Sequence, residues 1–384
     1  MLGIDLCSIE RVEGILNRHG DRFLNRVFTK EERDYVKKKK KRPETVAGLY
    51  AAKEAMAKAL GTGIGPVTFQ DLEIFHKPYP EGQYKGKTFA LTISHEEDYA
   101  LALAVVKGEE KIFSPPREFL GFLKPRPLDS HKGSVGKIGL IAGKKGMCGA
   151  FQFAGLAALR TGAGLVFAYA PREERNFFSL ALPEAVVKIR EEGVKKDLDL
   201  VDSLLIGPGV GVEDPILPET VGLEIKRVLD ADALTYLSGL ESLPNLEGAV
   251  LTPHEGEARR LFHAPKTSRK ELMKKAKDFA RGRACIFVLK GPGTYVTDGT
   301  RDYINDTGNP NMAVGGMGDA LAGVLAYSLT QTEDLFLGAC FAVYLHGLAG
   351  DLAAEDLGPG LLPRDVIAWI PKALKILKKE NFLF

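Results

Sequence analysis

Residues 305–325 read Asn-Asp-Thr-Gly-Asn-Pro-Asn-Met-Ala-Val-Gly-Gly-Met-Gly-Asp-Ala-Leu-Ala-Gly-Val-Leu. Three of the four positions 315–318 are glycine, Asp319 follows at once, and Ala320, Leu321, Val324 and Leu325 fall at helical spacing. Glycines ahead of a helix let backbone N–H groups approach an anion, and the helix N-terminus adds the positive end of its dipole. Asp319 falls in the first turn. A carboxylate there repels phosphate unless it takes a proton from a hydroxyl that attacks phosphorus. On these residues alone two readings stand: an anion site with a general base, or a glycine turn with Asp319 as an ordinary N-cap.

Working upstream, short β-rich apolar runs occur at 137–142, 164–170, 203–206, 228–230, 249–252 and 285–289, with helical segments between most of them. This alternation predicts an α/β unit, a mostly parallel sheet covered by helices on both faces. Polar or glycine-rich motifs follow the strands: Gly143, Gly207-Pro208-Gly209, Asp230-Ala231-Asp232-Ala233, Thr252-Pro253-His254-Glu255-Gly256-Glu257 and Lys290-Gly291-Pro292-Gly293-Thr294. Ligands collect at the carboxyl ends of such strands, so these motifs and Asp319 are expected on one rim. His254 reads either as a ligand contact or as a cap of the helix after Thr252-Pro253.

The first hundred residues follow a different pattern. Leu2–Leu6 reads as a short buried strand interrupted by Asp5, a costly placement unless that carboxylate is paired or metal-bound. Arg11, Arg18, Arg22 and Arg26 would form one basic stripe if helical phase were kept, and His19-Gly20-Asp21 is expected to break it into two helices. Lys37–Arg42 is six cations in a row, either a solvated loop or a landing surface for phosphates or an acidic protein. Val46–Leu60 reads as a helix with Lys53 in the middle of its apolar face and Glu54 and Lys58 at its edge. Thr88–Ser94 and Tyr99–Val106 read as a hairpin joined by His95-Glu96-Glu97-Asp98. A charged and proline-rich stretch, 107–127, places a domain boundary near residue 110, giving units of 1–110 and 111–384.

Length and composition agree with this division. The chain has 384 residues, 45% hydrophobic and 27% charged, which suggests two or three globular domains. A formal net charge of +2 implies no nucleic-acid partner. Four cysteines, none close in sequence, suggest reduced thiols in a cytoplasmic protein rather than a metal or redox pair. No signal peptide is read at the start, and no apolar run is read as reaching the roughly 18 residues of a membrane span.

Two resemblances follow from these residues. Gly3-Ile4-Asp5, Phe28-Thr29-Lys30-Glu31-Glu32, Ala51-Ala52-Lys53-Glu54-Ala55, Lys58-Ala59-Leu60-Gly61-Thr62-Gly63 and Ser94-His95-Glu96 occur in this order. The first 106 residues thereby resemble holo-[acyl-carrier-protein] synthase, the short trimeric type of phosphopantetheinyl transferase, an α+β domain. The resemblance implies transfer of 4′-phosphopantetheine from coenzyme A to a serine of acyl carrier protein. Asp5 and Glu54 would hold Mg²⁺, with Lys53 and Glu54 as catalytic residues. Lys53, Lys58 and His95 would lie near the coenzyme A phosphates, and the arginine stripe would meet the acidic carrier protein. Leu49 departs from the family's arginine, and the family's Gly-x-Pro stretch is blurred at Lys77-Pro78.

Residues 120–375 resemble the ADP-dependent NAD(P)H-hydrate dehydratases, which have a ribokinase-like fold. Further matching pieces are His131-Lys132-Gly133, Gly149-Ala150, 158–164 and Gly308-Asn309-Pro310. This resemblance implies that Lys290, Gly291, Pro292, Gly293, Thr294 and Gly318 bind the nucleotide. Ala150, Gly209, His254 and Asp319 would contact the hydrated nicotinamide, with Asp319 catalytic, Mg²⁺ present, and Glu255 or Glu257 as outer metal ligands. Met317 replaces the family's serine or threonine, so its side chain could crowd the phosphate. The alternative is a small-molecule kinase of the same fold joined to a degenerate carrier-protein-binding module. No length remains for the epimerase often fused to this family, so epimerisation is expected to be spontaneous or to come from another chain. A homo-oligomer built on trimers is expected.

Overall fold

The computed structural model describes residues 2–75, 79–106 and 116–381. The chain divides into two compact units, Met1–Ile112 and Phe113–Phe384. The expected boundary near 110 and the Lys77-Pro78 departure lie outside the described residues.

In the first unit β1 (Leu2–Ser8) leads into α1 (Ile9–Val27), α2 (Lys30–Lys38), α3 (Pro43–Ala59), β2 (Glu73–Phe75), β3 (Glu81–Tyr84), β4 (Lys87–Glu96) and β5 (Tyr99–Val106). The sheet is antiparallel throughout, in the order β1-β5-β4-β3-β2. Ser8 caps α1 by accepting from the Arg11 N–H. The expected break is present at Gly20, whose φ of 46° and ψ of −125° leave the helix. α3 is rich in alanine and buried almost all round, because small side chains let it lie close on the sheet. A side chain at Gly3 would run into the Ala55 carbonyl.

Two expectations are corrected here. β1 is not buried on both faces: Cys7 and Gly3 face α3, while Leu2, Ile4 and Leu6 are 63%, 51% and 57% exposed. The hairpin turn is only Glu97-Asp98, because the ladder continues through the Glu96–Tyr99 pair. His95 therefore sits in β4 opposite Ala100, not in a loop.

The second unit runs β6 (Lys137–Ile141), α4 (Cys148–Thr161), β7 (Leu165–Ala170), α5 (Arg175–Ala181), β8 (Val186–Ile189), β9 (Ser203–Ile206), α6 (Ile216–Thr220), β10 (Arg227–Leu229), α7 (Asp232–Ser238), β11 (Ala249–Leu251), α8 (Glu255–Leu261), α9 (Arg269–Arg283), β12 (Ile286–Leu289), β13 (Tyr295–Thr297), β14 (Asp302–Ile304), α10 (Met317–Thr330), α11 (Leu335–Leu357) and α12 (Pro363–Asn381). The sheet order is β14-β13-β12-β11-β10-β9-β6-β7-β8. Neighbours from β12 to β8 are parallel, and β13 and β14 add antiparallel at one edge. Strand alternation feeds two cores. Leu205, Val166 and Ala168 join α4, α10, α11 and α12 on one face, and Leu204, Ile206 and Tyr169 join α6 to α9 on the other. α11 is long and apolar enough to cross a membrane, contrary to the reading that no segment is. Its most apolar window is 83% buried, as a core helix of this unit.

Candidate active sites

The five motifs Gly143, 207–209, 230–233, 252–257 and 290–294 follow β6, β9, β10, β11 and β12, which are consecutive in the sheet. β6 lies between β9 and β7, so the strand order reverses there, where α/β sheets open a crevice for ligands. α10 reaches the same rim. Its N-cap is Gly316, at φ 95°, with no side-chain cap bond. Asp319 is therefore the third helical residue and not the cap, and no side chain caps this helix N-terminus. A side chain at Gly316 would press on Phe153 and Pro363. Met317 turns into the core, away from any phosphate at the glycines.

Lys290 lies against this turn: a Cβ on Gly318 would stand 3.3 Å from its Nζ. The same ammonium donates to Asp230 Oδ1 at 2.6 Å and lies 4.0 Å from Glu257 Oε2. Asp230 is buried and also accepts from the Thr252 hydroxyl at 2.8 Å. Burial works to lower the Lys290 ammonium, but the Asp230, Glu257 and Asp319 carboxylates outweigh it and the net shift is upward. Asp319 is pushed up to about 7, by burial first, then by Asp230 and Asp232, with Lys290 opposing. A half-buried carboxyl pushed up to about 7, beside a cation and a helix N-terminus without a side-chain cap, is suited to general-base chemistry at a phosphate.

Ala150 and Gly209 come together. A Cβ on Gly209, at φ 64°, would lie 3.2 Å from that of Ala150. Gly211, two residues on, donates its N–H to Asp232 Oδ2 at 2.8 Å. Gly291, Pro292 and Gly293 form an exposed turn, held from beneath by Arg269, which donates to the Lys290 and Gly293 carbonyls at 3.2 and 3.0 Å. Thr294 closes the turn on the Gly291 carbonyl. Arg269 has no motif of its own, and nothing in its local sequence marks it.

His254 takes the capping role: its Nδ1 accepts from the Gly256 and Glu257 N–H groups, and Glu257 returns a bond to the His254 N–H. The ring is still 55% exposed, so its outer edge is open to a ligand. Glu255 is not placed as a metal ligand. Arg269 and Arg259 take its two oxygens at 3.1 and 2.7 Å and hold its carboxyl below the usual range. Glu257 is committed to the cap and to Lys290.

In the first unit Asp5 answers its cost by pairing with Lys58, at 2.8 Å, which also donates to the Ile4 carbonyl. Glu54 lies one turn before Lys58 on α3. Burial raises the Cys7 thiol, Arg11 lowers it, and the Asp5 and Glu54 carboxylates raise it further. No group of three or more metal-ligating side chains occurs among the described residues. Two carboxylates suit Mg²⁺, which takes one or two from protein and the rest from water and phosphates. His95 is exposed.

Lys53 is a correction. It is fully buried, pairs with Glu32 at 2.7 Å, and donates to the Val27, Phe69 and Leu72 carbonyls at 3.1, 2.7 and 2.7 Å. Its ammonium has no capacity left for a phosphate. Glu32 is the residue that the sequence reading missed. It closes a capping box on Thr29, a Thr-x-x-Glu signature, and reaches the Ile74 N–H with its other oxygen. Leu49 is buried in the same core.

Residues 138–372 match the family model described as NAD(P)H-hydrate dehydratase, and residues 1–104 that of the 4′-phosphopantetheinyl transferase superfamily. The chain belongs to the NAD(P)H-hydrate dehydratase family. It is 30% identical over 272 residues to an ADP-dependent (S)-NAD(P)H-hydrate dehydratase of Cenarchaeum symbiosum, covering 66% of this chain and 93% of that one. It is 33% identical over 341 residues to a bifunctional NAD(P)H-hydrate repair enzyme of Hyperthermus butylicus, covering 82% of this chain but 61% of that enzyme. The chain thus spans little more than half the length of such bifunctional relatives. The Bacillus subtilis ADP/ATP-dependent NAD(P)H-hydrate dehydratase, co-crystallized with ATP/Mg²⁺, superposes with a TM-score of 0.58 at 29% identity, over 67% of this chain and 96% of that one. The rim that gathers Asp319, Lys290, Ala150 and Gly209 lies within the stretch matched to the NAD(P)H-hydrate dehydratase family, and the Asp5–Lys58 pair within the transferase match.

Proposed function

We propose that the second unit converts (6S)-NAD(P)H hydrate back to NAD(P)H at the expense of ADP, releasing AMP and phosphate. The observation that carries this reading is the position of Asp319, beside Lys290 at a glycine-led helix N-terminus without a side-chain cap, where burial pushes its carboxyl up. Hydroxide is a poor leaving group. Asp319 takes the proton of the C6 hydroxyl, whose oxygen attacks the β-phosphorus of ADP, and the bond to AMP breaks. The ring nitrogen then expels phosphate, and loss of the C5 proton restores the reduced ring. The N–H groups of Gly316 and Gly318 hold the charge that develops on the transferred phosphoryl group, while the Met317 N–H is taken by the Val314 carbonyl. The Lys290–Thr294 turn and Gly318 hold the nucleotide, and Ala150, Gly209 and the open edge of His254 bound the nicotinamide. Mg²⁺, when bound, neutralises the phosphates. The test supplies ADP with NADH hydrate and follows the return of NADH absorbance. No return, with ATP-dependent phosphorylation of an alcohol instead, establishes the kinase alternative.

The first unit transfers 4′-phosphopantetheine from coenzyme A to acyl carrier protein. Asp5 and Glu54 would hold Mg²⁺, which would supply positive charge against the pyrophosphate. Lys58 and His95 would meet the coenzyme A phosphates, and the exposed Arg11, Arg18, Arg22 and Arg26 would meet the carrier protein. Lys53 supports this site only as part of the core. Labelled coenzyme A and carrier protein test it: an unmodified carrier, with a control transferase active, ends the assignment. The apolar outer face of β1 and β5 supports a self-association of this unit, read as trimeric. Four free thiols suit a reducing cytoplasm.

A further inference from the structure

Arg190 directly follows β8 and is 4% exposed. A buried guanidinium is costly unless its N–H groups are met, and here they are met from three different segments. Nε donates to the Tyr169 carbonyl of β7 at 3.1 Å. Nη1 donates to Asp214 Oδ2 at 2.6 Å, in the segment after β9. Nη2 donates to the Gly143 carbonyl at 2.8 Å and the Ala142 carbonyl at 3.4 Å, after β6. Asp214 uses its other oxygen on the Ile216 N–H, which fixes where α6 begins.

The two segments that Arg190 joins are the ones that carry Ala150 and Gly209. Gly143 is also bonded through its N–H to the Pro208 carbonyl at 2.7 Å, so its peptide groups are held from both sides. Beyond it, Met147 and Ala150 pack on Gly209, and the Lys144 side chain packs on Gly211. Arg190 touches neither Ala150 nor Gly209. It sets the distance between the backbones that present them.

We propose that Arg190 is a positioning residue for the hydrate: by clamping the 142–150 segment to the 207–214 segment it fixes the width of the nicotinamide pocket. This rests on the dehydratase reading. The nucleotide turn at 290–294 follows β12, three strands from β9 in the sheet, and Arg190 makes no bond to it. A planar fork is needed because one Lys ammonium cannot meet acceptors in these four directions.

The experiment compares Arg190→Lys and Asp214→Asn with the wild-type full chain, measuring kcat, KM for NADH hydrate, KM for ADP and Tm. Arg190→Lys is expected to raise KM for hydrate about tenfold while KM for ADP stays within twofold, and Asp214→Asn to raise it several-fold in the same selective way. A purely structural role lowers Tm and the active fraction and leaves both KM values in their wild-type ratio; that result overturns the proposal. If Arg190→Lys does not fold, Asp214→Asn decides by the same ratio. A wild-type chain that neither binds nor dehydrates hydrate overturns the dehydratase reading and this inference with it; an active wild type with an unmoved ratio overturns this inference alone.

Discussion

Asp319 shows how far one carboxyl can be moved by its neighbours. Burial disfavours its charge, Asp230 and Asp232 repel it, and Lys290 offsets them only in part, which leaves it near pH 7. As a base it acts only when ionised, so kcat/KM for hydrate should rise with pH and level off above about 7. A flat profile from pH 5 to 9 contradicts its role. Asp319→Asn should lose about 10²- to 10⁴-fold in kcat, the range for a positioned general base. The linkage runs the same way. Because the folded value lies above the unfolded 3.8, the native state keeps a proton that the unfolded chain releases. This residue's contribution is fully present below about pH 4 and is lost as pH rises through about 7. Asp319→Asn should therefore gain in Tm over wild type at pH 8 and not at pH 4. Lys53 carries the opposite lesson. Burial lowers the Lys53 ammonium and raises the Glu32 carboxyl against their mutual attraction. Removing one partner strands a buried charge, so Lys53→Met alone should cost about 3–5 kcal/mol. Lys53→Met with Glu32→Leu should recover much of that in denaturant titrations. A Lys53→Met chain with wild-type stability and no transferase activity would return Lys53 to the active site. The sequence made Asp319 legible because glycines and a helix pattern bracket it. It misplaced Lys53 because a lysine on an apolar helix face looks the same whether its partner is a ligand or a glutamate 21 positions earlier.

Among elements, α10 matters most, and its position is set by glycines. A side chain at Gly323 would run into the Ala154 carbonyl of α4, and one at Gly155 would press on Leu182 and Leu140. The helix that presents Asp319 is thus seated directly on the helix whose first turn carries Ala150. Gly323→Ala should push them apart, with a loss of about 1–3 kcal/mol typical of overpacking and a drop in dehydratase turnover. Thermal denaturation and the NADH assay together check it, and an unchanged Tm would mean that the two helices can part freely. All six expected strands of this unit form, and four of their apolar runs, 137–142, 164–170, 203–206 and 249–252, directly adjoin a glycine or proline. β8, β13 and β14 were not legible: they are three or four residues long, lie toward the sheet edges, and lack a continuous apolar run. α11 was passed over as a candidate span because Asp351 and later acids dilute its end, although the stretch before them is uncharged. Asp351 has its own use in the fold, accepting from the Gly308 N–H and the Asn309 side chain ahead of α10.

For the molecule, the informative surface is the outer face of the first sheet. Leu2 pairs with Val105, Ile4 with Leu103, Leu6 with Leu101 and Ser8 with Tyr99 across β1 and β5. Of these, Leu2, Ile4, Leu6, Tyr99, Leu101 and Val105 are exposed. A contiguous apolar sheet face of this kind marks an interaction site rather than ordinary surface. In sequence β1 reads as a buried strand because Leu2, Ile4 and Leu6 give it one wholly apolar face, and such a face is equally what a strand covered only after association shows. A second copy of the same face is the simplest occupant, since closed symmetry satisfies identical patches. Ile4→Glu would place a charge in the middle of it. The variant should sediment as a smaller species than wild type, lose most phosphopantetheine transfer if the transferase site is completed by a neighbouring copy, and keep dehydratase turnover within about twofold, because the Asp319 rim belongs to the other unit. Light scattering and the two assays on one preparation separate the cases. A wild-type chain that is monomeric at all concentrations removes the oligomer, and an Ile4→Glu chain that is monomeric yet fully active in transfer shows that the first site is complete within a single copy.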